Sequence, residues 1–284
     1  MLTPSSLIVL LAAPTASALR VGMAARGRTT ARVAGSPSMH CNIYPIFTIN
    51  DWAAVKPLMD ECVQATDTEA GCLYYGWTVN ADKTKLFCRE TYVDGKAAAV
   101  HLANAVPIVG KMLEGSVSLD SIGVMGTEAD LADVKEEADK LGCTYWKVWD
   151  SFSRFKKMGL KQPAMDKFLT LQPTFTINDL AKAEPFMKDC VEATKKEAGC
   201  LYYGWTICDD KLFCREAYVD GKAVDAHLEN AVGIVGAMLE SGAVSLDKIE
   251  LHGPSDQWAA CKERADALGM VYYDVDDSFA KCAL

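Results

Sequence analysis

The nine residues Ala70 to Thr78, AGCLYYGWT, recur letter for letter at Ala198 to Thr206. This repetition constrains the fold more than any other feature of the chain. Phe47–Val79 matches Phe175–Ile207 at 22 of 33 positions without a gap. LFCRETYVDGKAAAVHLANAVPIVGKMLE from Leu86 then matches LFCREAYVDGKAVDAHLENAVGIVGAMLE from Leu212, the second copy being two residues shorter in the intervening loop. VSLDSIGVMG pairs with VSLDKIELHG, and WDSF with DDSF. A period of about 110 residues means one supersecondary solution used twice. The units are 41–155 and 168–284, joined by a linker at 156–167, with 1–40 outside the duplication.

Within a unit the elements read in order. IYPIFTI is a strand, whose Pro45, matched by Pro173, marks a bulge or an unpaired edge because proline donates no ladder bond. Asn50 or Asp51 caps a helix carrying Val55, Leu58, Met59, Cys62 and Val63 at helical spacing. CLYYGWTV and KLFCRETYV form a hairpin around NADKT. DGKAAAVHLANAVPIVGKMLE is a second helix, which Pro107 should kink or break, and Gly233 holds that place in the copy. VSLDSIGVM is the fourth strand. TEADLADVKEEADKLG follows as an amphipathic helix capped by Thr127 and closed by Gly142, and CTYWKVWD is a fifth strand. The first six elements make βαββαβ, the ferredoxin-like arrangement. Both helices lie on one sheet face, so the other face needs a second sheet. The expectation is an α+β chain of two ferredoxin-like repeats packed sheet to sheet as one intramolecular barrel, each extended by an extra helix and strand. Such a molecule is a monomeric pseudo-dimer, with higher oligomers open.

The first fifty residues hold no Asp, Glu or Lys, and their charges are Arg20, Arg26, Arg28 and Arg32. LIVLLAAPTASA ends in a small-x-small pattern, and an Arg-, Ser-, Thr- and Ala-rich stretch without acids follows, a signal then a transit-like segment. The order resembles the bipartite presequence of algae with secondary plastids, so plastid import is expected, with secretion as the alternative. Removing those four arginines from 29 basic side chains leaves 25 against 38 acidic ones, a net charge of −13. That surface repels phosphate backbones and anionic membranes, so no nucleic-acid partner is expected. The apolar run in the leader is too short to span a bilayer. The eleven cysteines form no CxxC pairs and have only four His beside them. They read as core thiols in a reducing compartment, with disulfides open if the protein is secreted.

At EAGCLYYGWTV in the first copy and LFCREAYVDGKAVDAHLENAVGIV in the second, the chain resembles the antibiotic biosynthesis monooxygenase (ABM) domain. The likeness lies in a Gly-Cys-Leu-x-Tyr strand, an acidic-aromatic third strand, a DGKA turn, and a His followed by Asn in the second helix. It covers about 90 residues of each unit. The resemblance implies a dimeric α+β barrel with its pocket between sheet and helices and the histidine pointing in. Members include cofactor-free quinone-forming monooxygenases, haem-degrading enzymes, cyclases and proteins without known activity. The haem-degrading pattern has an Asn in strand one and a Trp in strand three. Here Asn50 and Asn178 stand only at the strand's end, and Tyr92 and Tyr218 replace the Trp, which disfavours haem and leaves no cofactor expected.

His101, Asn104, Ala105 and Ile108 share one helix face, as do His227, Asn230, Ala231 and Ile234. A neutral imidazole there suits general-base work on a phenol. The other reading is a core histidine bonded to a carbonyl or to a carboxylate such as Glu90. His101 and His227 are the expected catalytic residues. Asn104, Tyr92 and Trp77, with Asn230, Tyr218 and Trp205, are expected to bind a small hydrophobic or aromatic ligand. Tyr75 reads as hairpin packing and Arg89 as a surface salt-bridge partner. Alternation puts Cys72, Tyr74, Gly76 and Thr78 on one face of the second strand and Leu73, Tyr75, Trp77 and Val79 on the other. The function expected is a cofactor-independent monooxygenase on an aromatic or quinol-type substrate. Alternatives are a non-catalytic ligand- or partner-binding barrel and a polyketide-type cyclase.

Overall fold

The computed structural model describes residues 40–157 and 168–283. The expected presequence, apart from His40, and most of the expected linker lie outside those residues. In repeat 1 the elements are β1 (Asn42–Ile49), α1 (Trp52–Asp67), β2 (Cys72–Asn80), β3 (Lys85–Tyr92), α2 (Gly95–Leu113), β4 (Val117–Gly126), α3 (Glu128–Lys140) and β5 (Thr144–Ser153). A two-residue β6 (Lys156–Lys157) follows. Repeat 2 gives β7 (Leu169–Ile177), α4 (Leu180–Thr194), β8 (Cys200–Cys208), β9 (Lys211–Tyr218), α5 (Gly221–Glu240) and β10 (Val244–His252). A 3-10 turn (Ser255–Ala260), α6 (Lys262–Ala267), β11 (Val271–Ala280) and β12 (Cys282–Ala283) complete it, β12 pairing with β6.

Ten strands close into one barrel in the order β1-β3-β2-β11-β10-β7-β9-β8-β5-β4. The fifth strand of each repeat, which the sequence marks only as an extension, is the closing element. β5 lies parallel to β4 and then antiparallel to β8 of the other repeat, while β11 lies parallel to β10 and antiparallel to β2. The two ferredoxin-like halves are therefore sewn together by backbone hydrogen bonds at two seams. The helices cover the outside, with one apolar cluster per repeat between helices and sheet.

Local chemistry accounts for the details. Asp51 caps α1 and its counterpart Asp179 caps α4. Thr127 and Asp130 form a capping box on α3, and Gly142 ends that segment at φ +68°. Pro173 falls in a gap of the β7–β9 ladder, and a register shift follows Ile46 beside Pro45. α2 runs unbroken through Pro107, against the sequence expectation of a break. The carbonyl that proline leaves unpaired belongs to exposed Ala103, where water can take it.

The barrel interior corrects two further expectations. A register shift between Cys72 and Tyr74 bulges β2 at Leu73, so Cys72 joins Tyr75 and Trp77 facing the helices, while Leu73 and Tyr74 turn inward. One extra residue is enough to reverse the alternation upstream of it. Arg89 is no surface partner: it is buried inside the barrel over the Tyr74 and Phe168 rings. Its guanidinium donates to the Tyr74 hydroxyl, Thr170 Oγ1 and the His252 carbonyl, and its counterpart Arg215 donates to Asn42 and Thr91. Burying guanidinium groups needs this many acceptors when no carboxylate pairs with them. All eleven cysteines are unpaired and all but Cys208 are buried. Among the described residues no helix is long and apolar enough to cross a membrane.

At the β2–β11 seam a Cβ on Gly76 would lie 2.5 Å from Ser278 Cβ and 2.6 Å from the Tyr74 hydroxyl. Gly76→Val should therefore destabilise the chain by about 1–3 kcal/mol through overpacking. The urea unfolding midpoint measures this, and an unchanged midpoint would show that the seam yields.

Candidate functional site

Each repeat builds the same constellation between its sheet and its second helix. The apolar side of α2, with Ala98, Leu102 and Met112, turns His101 against β3, and α5 does the same with His227. Both imidazoles are only 3% exposed. His101 Nδ1 is 3.1 Å from Glu69 Oε2 and its Nε2 is 3.3 Å from Glu90 Oε2. In the copy, His227 Nδ1 is 3.0 Å from Glu197 Oε2 and Nε2 is 3.1 Å from Glu216 Oε2. Tyr92 donates its hydroxyl to Glu90 at 2.8 Å, and Tyr218 donates to Glu216 at 2.7 Å. Asn104 Nδ2 donates to Glu69 at 3.1 Å, and Asn230 Nδ2 reaches Glu197 at 3.5 Å.

A carboxylate facing a ring nitrogen favours a proton on that nitrogen, so an imidazole with a carboxylate at each nitrogen is drawn toward the imidazolium. Burial alone would lower the pKa of His227, but the Glu216 charge and the Glu197 hydrogen bond outweigh it and raise it to about 9. His101 moves upward by the same balance, with Glu90 and Glu69 opposing burial. Burial lifts the Glu90 carboxyl above the usual range despite His101, Tyr92 and the Cys88 thiol, which favour its charge. Burial and the adjoining Glu90 and Glu216 charges push the Tyr92 and Tyr218 hydroxyls far up, so they serve as donors. The neutral imidazole expected from the helix pattern is thus replaced by a histidine clamped in its charged form.

An apolar cavity runs from this cluster between sheet and helix. In repeat 1 it is lined by Phe47, Trp77, Leu102 and Val109, with Glu90 and His101 at one wall, and encloses about 60 Å³. In repeat 2, Phe175, Trp205, Leu228 and Val235 line it with Glu216 and His227, and it encloses about 260 Å³. Of the site residues expected from sequence, His101, Trp77, His227 and Trp205 line these two cavities, and Asn230 lines a separate, more open pocket beside Glu197. Trp77 and Trp205 show it only their rings, because their indole N–H groups donate to the Met59 and Met187 carbonyls. Tyr92, Asn104, Tyr218 and Asn230 instead hold the glutamates in place. Tyr75, read as a packing residue, and its counterpart Tyr203 line the cavities and pack their rings against the histidines.

Sequence reasoning named Glu90 as a carboxylate partner for the histidine, which the structure bears out, and missed Glu69, Glu197 and Glu216. A signal existed, since Glu69 and Glu197 precede the identical nonapeptides by one residue and Glu90 and Glu216 follow an identical LFCR.

No family profile and no curated protein sequence matches the chain. Among solved structures, a protein of Fusobacterium nucleatum described as a candidate monooxygenase superposes over 87% of this chain and 97% of its own, at 13% identity and a TM-score of 0.55. MupZ of Pseudomonas fluorescens matches 39% of this chain and 92% of its own, at 24% identity and a TM-score of 0.37. A Lactobacillus acidophilus protein, also described as a candidate monooxygenase, matches 86% and 93%, at 13% identity and a TM-score of 0.41. The chain shares the fold of the Fusobacterium protein and closes it as an α+β barrel with both ferredoxin-like halves in one polypeptide.

Because His227 has a higher pKa folded than unfolded, its stabilising contribution is complete below about pH 6.5 and is lost as pH rises through about 9. That contribution is on the order of 3 kcal/mol, from a pKa of about 9 against 6.5 at 1.36 kcal/mol per pKa unit. The urea midpoint of the wild type should fall between pH 6.5 and 10 more steeply than that of His227→Gln. Parallel pH profiles would mean that the imidazole is not charged.

Proposed function

We propose that the chain is an ABM-like, cofactor-independent monooxygenase acting on a small aromatic or quinol-type substrate. The observation that carries this reading is an apolar cavity ending on one buried ionic group, Glu216 with His227 and Glu90 with His101. A phenol seated ring-first among Trp and Phe side chains directs its hydroxyl at the carboxylate, which takes the proton. The neighbouring imidazolium then steadies the negative charge as it moves from the carboxylate to the phenolate oxygen in a site with little water. The electron-rich phenolate passes an electron to O2. The resulting superoxide and phenoxyl radical join at a ring carbon and the O–O bond then breaks, so that one oxygen atom becomes the new ring carbonyl and the other leaves as water with the displaced ring hydrogen and the proton held by the carboxylate. The histidine positions and charges the carboxylate, and above about pH 9 it could itself accept the proton.

No haem is included in this reading. Both ring nitrogens of each histidine already face carboxylates, so neither offers a lone pair to iron without dismantling the cluster. A plastid as the place of work rests on the composition of residues 1–40.

A second reading is a barrel that binds an apolar ligand without turnover. It is favoured by the completeness with which His, Glu, Tyr and Asn satisfy one another.

An oxygen electrode with a panel of hydroquinones and naphthols distinguishes these. Wild-type protein should consume O2 in step with quinone absorbance, and His101→Ala/His227→Ala should lower the rate at least about 10²-fold. Unchanged turnover in the double variant would remove the histidines from the mechanism. Saturable binding without O2 uptake would establish the second reading, and O2-independent ring closure would point to a cyclase.

A further inference from the structure

The two constellations match almost atom for atom, yet the cavities they serve do not. A cavity of about 150 Å³ admits benzene, while a water molecule has a share of about 30 Å³ in the liquid. The repeat 2 cavity, at about 260 Å³, therefore has room for a ring system, whereas repeat 1, at about 60 Å³, falls short of the volume that benzene needs.

The rims differ in the same direction. Val232, Leu246 and Leu268 line the repeat 2 cavity and are 54%, 39% and 39% exposed. Their counterparts Val106, Leu119 and Leu141 line the repeat 1 cavity and are partly buried. In repeat 1 the third helix is a continuous, capped 13-residue α3, and Leu141 follows it directly. In repeat 2 a six-residue 3-10 turn and the six-residue α6 stand in that place. At Gly236, on the repeat 2 wall, an added Cβ would meet nothing within 4 Å.

We propose that only the repeat 2 cavity binds a ligand, a phenol of one or two fused rings, and that repeat 1 keeps the same ionic cluster as a structural element. The proposal deepens the functional reading and rests on its assignment of the cavity as a ligand site, though not on oxygen chemistry. The exposed rim offers an apolar path inward, and the single polar wall sets the class of ligand. A carboxylate has about four acceptor positions. Tyr218 donates to Glu216 Oε2 and His227 faces the same oxygen, which leaves acceptor positions on the carboxylate for a ligand hydroxyl. Trp205 has its N–H committed to Met187 and contributes a ring face alone.

Titration calorimetry of the full chain with 1-naphthol tests this. One site per chain is expected. Gly236→Leu should weaken binding at least tenfold while near-UV circular dichroism stays unchanged. Quenching of tryptophan fluorescence on binding should survive in Trp77→Phe and be lost in Trp205→Phe, a pair of mild substitutions that guards against misfolding of the glycine variant. Two equivalent sites, wild-type affinity in a folded Gly236→Leu, quenching lost only in Trp77→Phe, or no binding up to the solubility limit of 1-naphthol would each overturn the proposal. One bound naphthol without O2 uptake would sink the oxygenase reading and leave this one standing.

Discussion

Everything in this molecule depends on the two seams where the fifth strand of one repeat hydrogen-bonds to the second strand of the other. A ferredoxin-like half on its own leaves β2 or β8 with an open edge and one sheet face without cover. Unpaired backbone groups and bare apolar surface are both costly in water. Exchanging β5 and β11 removes all four problems together and yields a barrel with no edge strand. The seams also fix Tyr75 and Tyr203, which lie on seam strands and pack against the histidines. Architecture and candidate site are therefore coupled through the same strands.

Much of the fold was legible because duplication is a long-range signal that survives weak local propensity. Helix caps at Asp51 and Thr127 follow from short polar side chains that bond nearby backbone N–H groups. What could not be read depends on a single residue or on tertiary surroundings. The bulge at Leu73 reverses the faces of Cys72 and Leu73, and no periodicity argument detects one inserted residue. Arg89 looks like any surface arginine on a strand, and only barrel closure brings Thr170 and the His252 carbonyl, 81 and 163 residues away, to its guanidinium. Pro107 stays within its helix because the solvent side of α2 tolerates a missing hydrogen bond.

The site was half legible. The histidines stood out because their residue type is rare and their helix is apolar. Three of the four glutamates did not, because an acidic residue in an acidic chain carries little information until its burial is known. Their burial is what changes the chemistry. A carboxylate on each side turns His227 from a switch near neutral pH toward a lasting cation, and Tyr218 and Asn230 support those carboxylates.

Closure within one polypeptide has an evolutionary consequence as well. In a symmetric pair of identical chains every substitution is made twice, so one pocket cannot narrow without narrowing its twin. Here the codons for Leu141 and Leu268, or for Pro107 and Gly233, are separate. Selection can act on one half for chemistry and on the other for rigidity, while the seams keep the two from drifting apart.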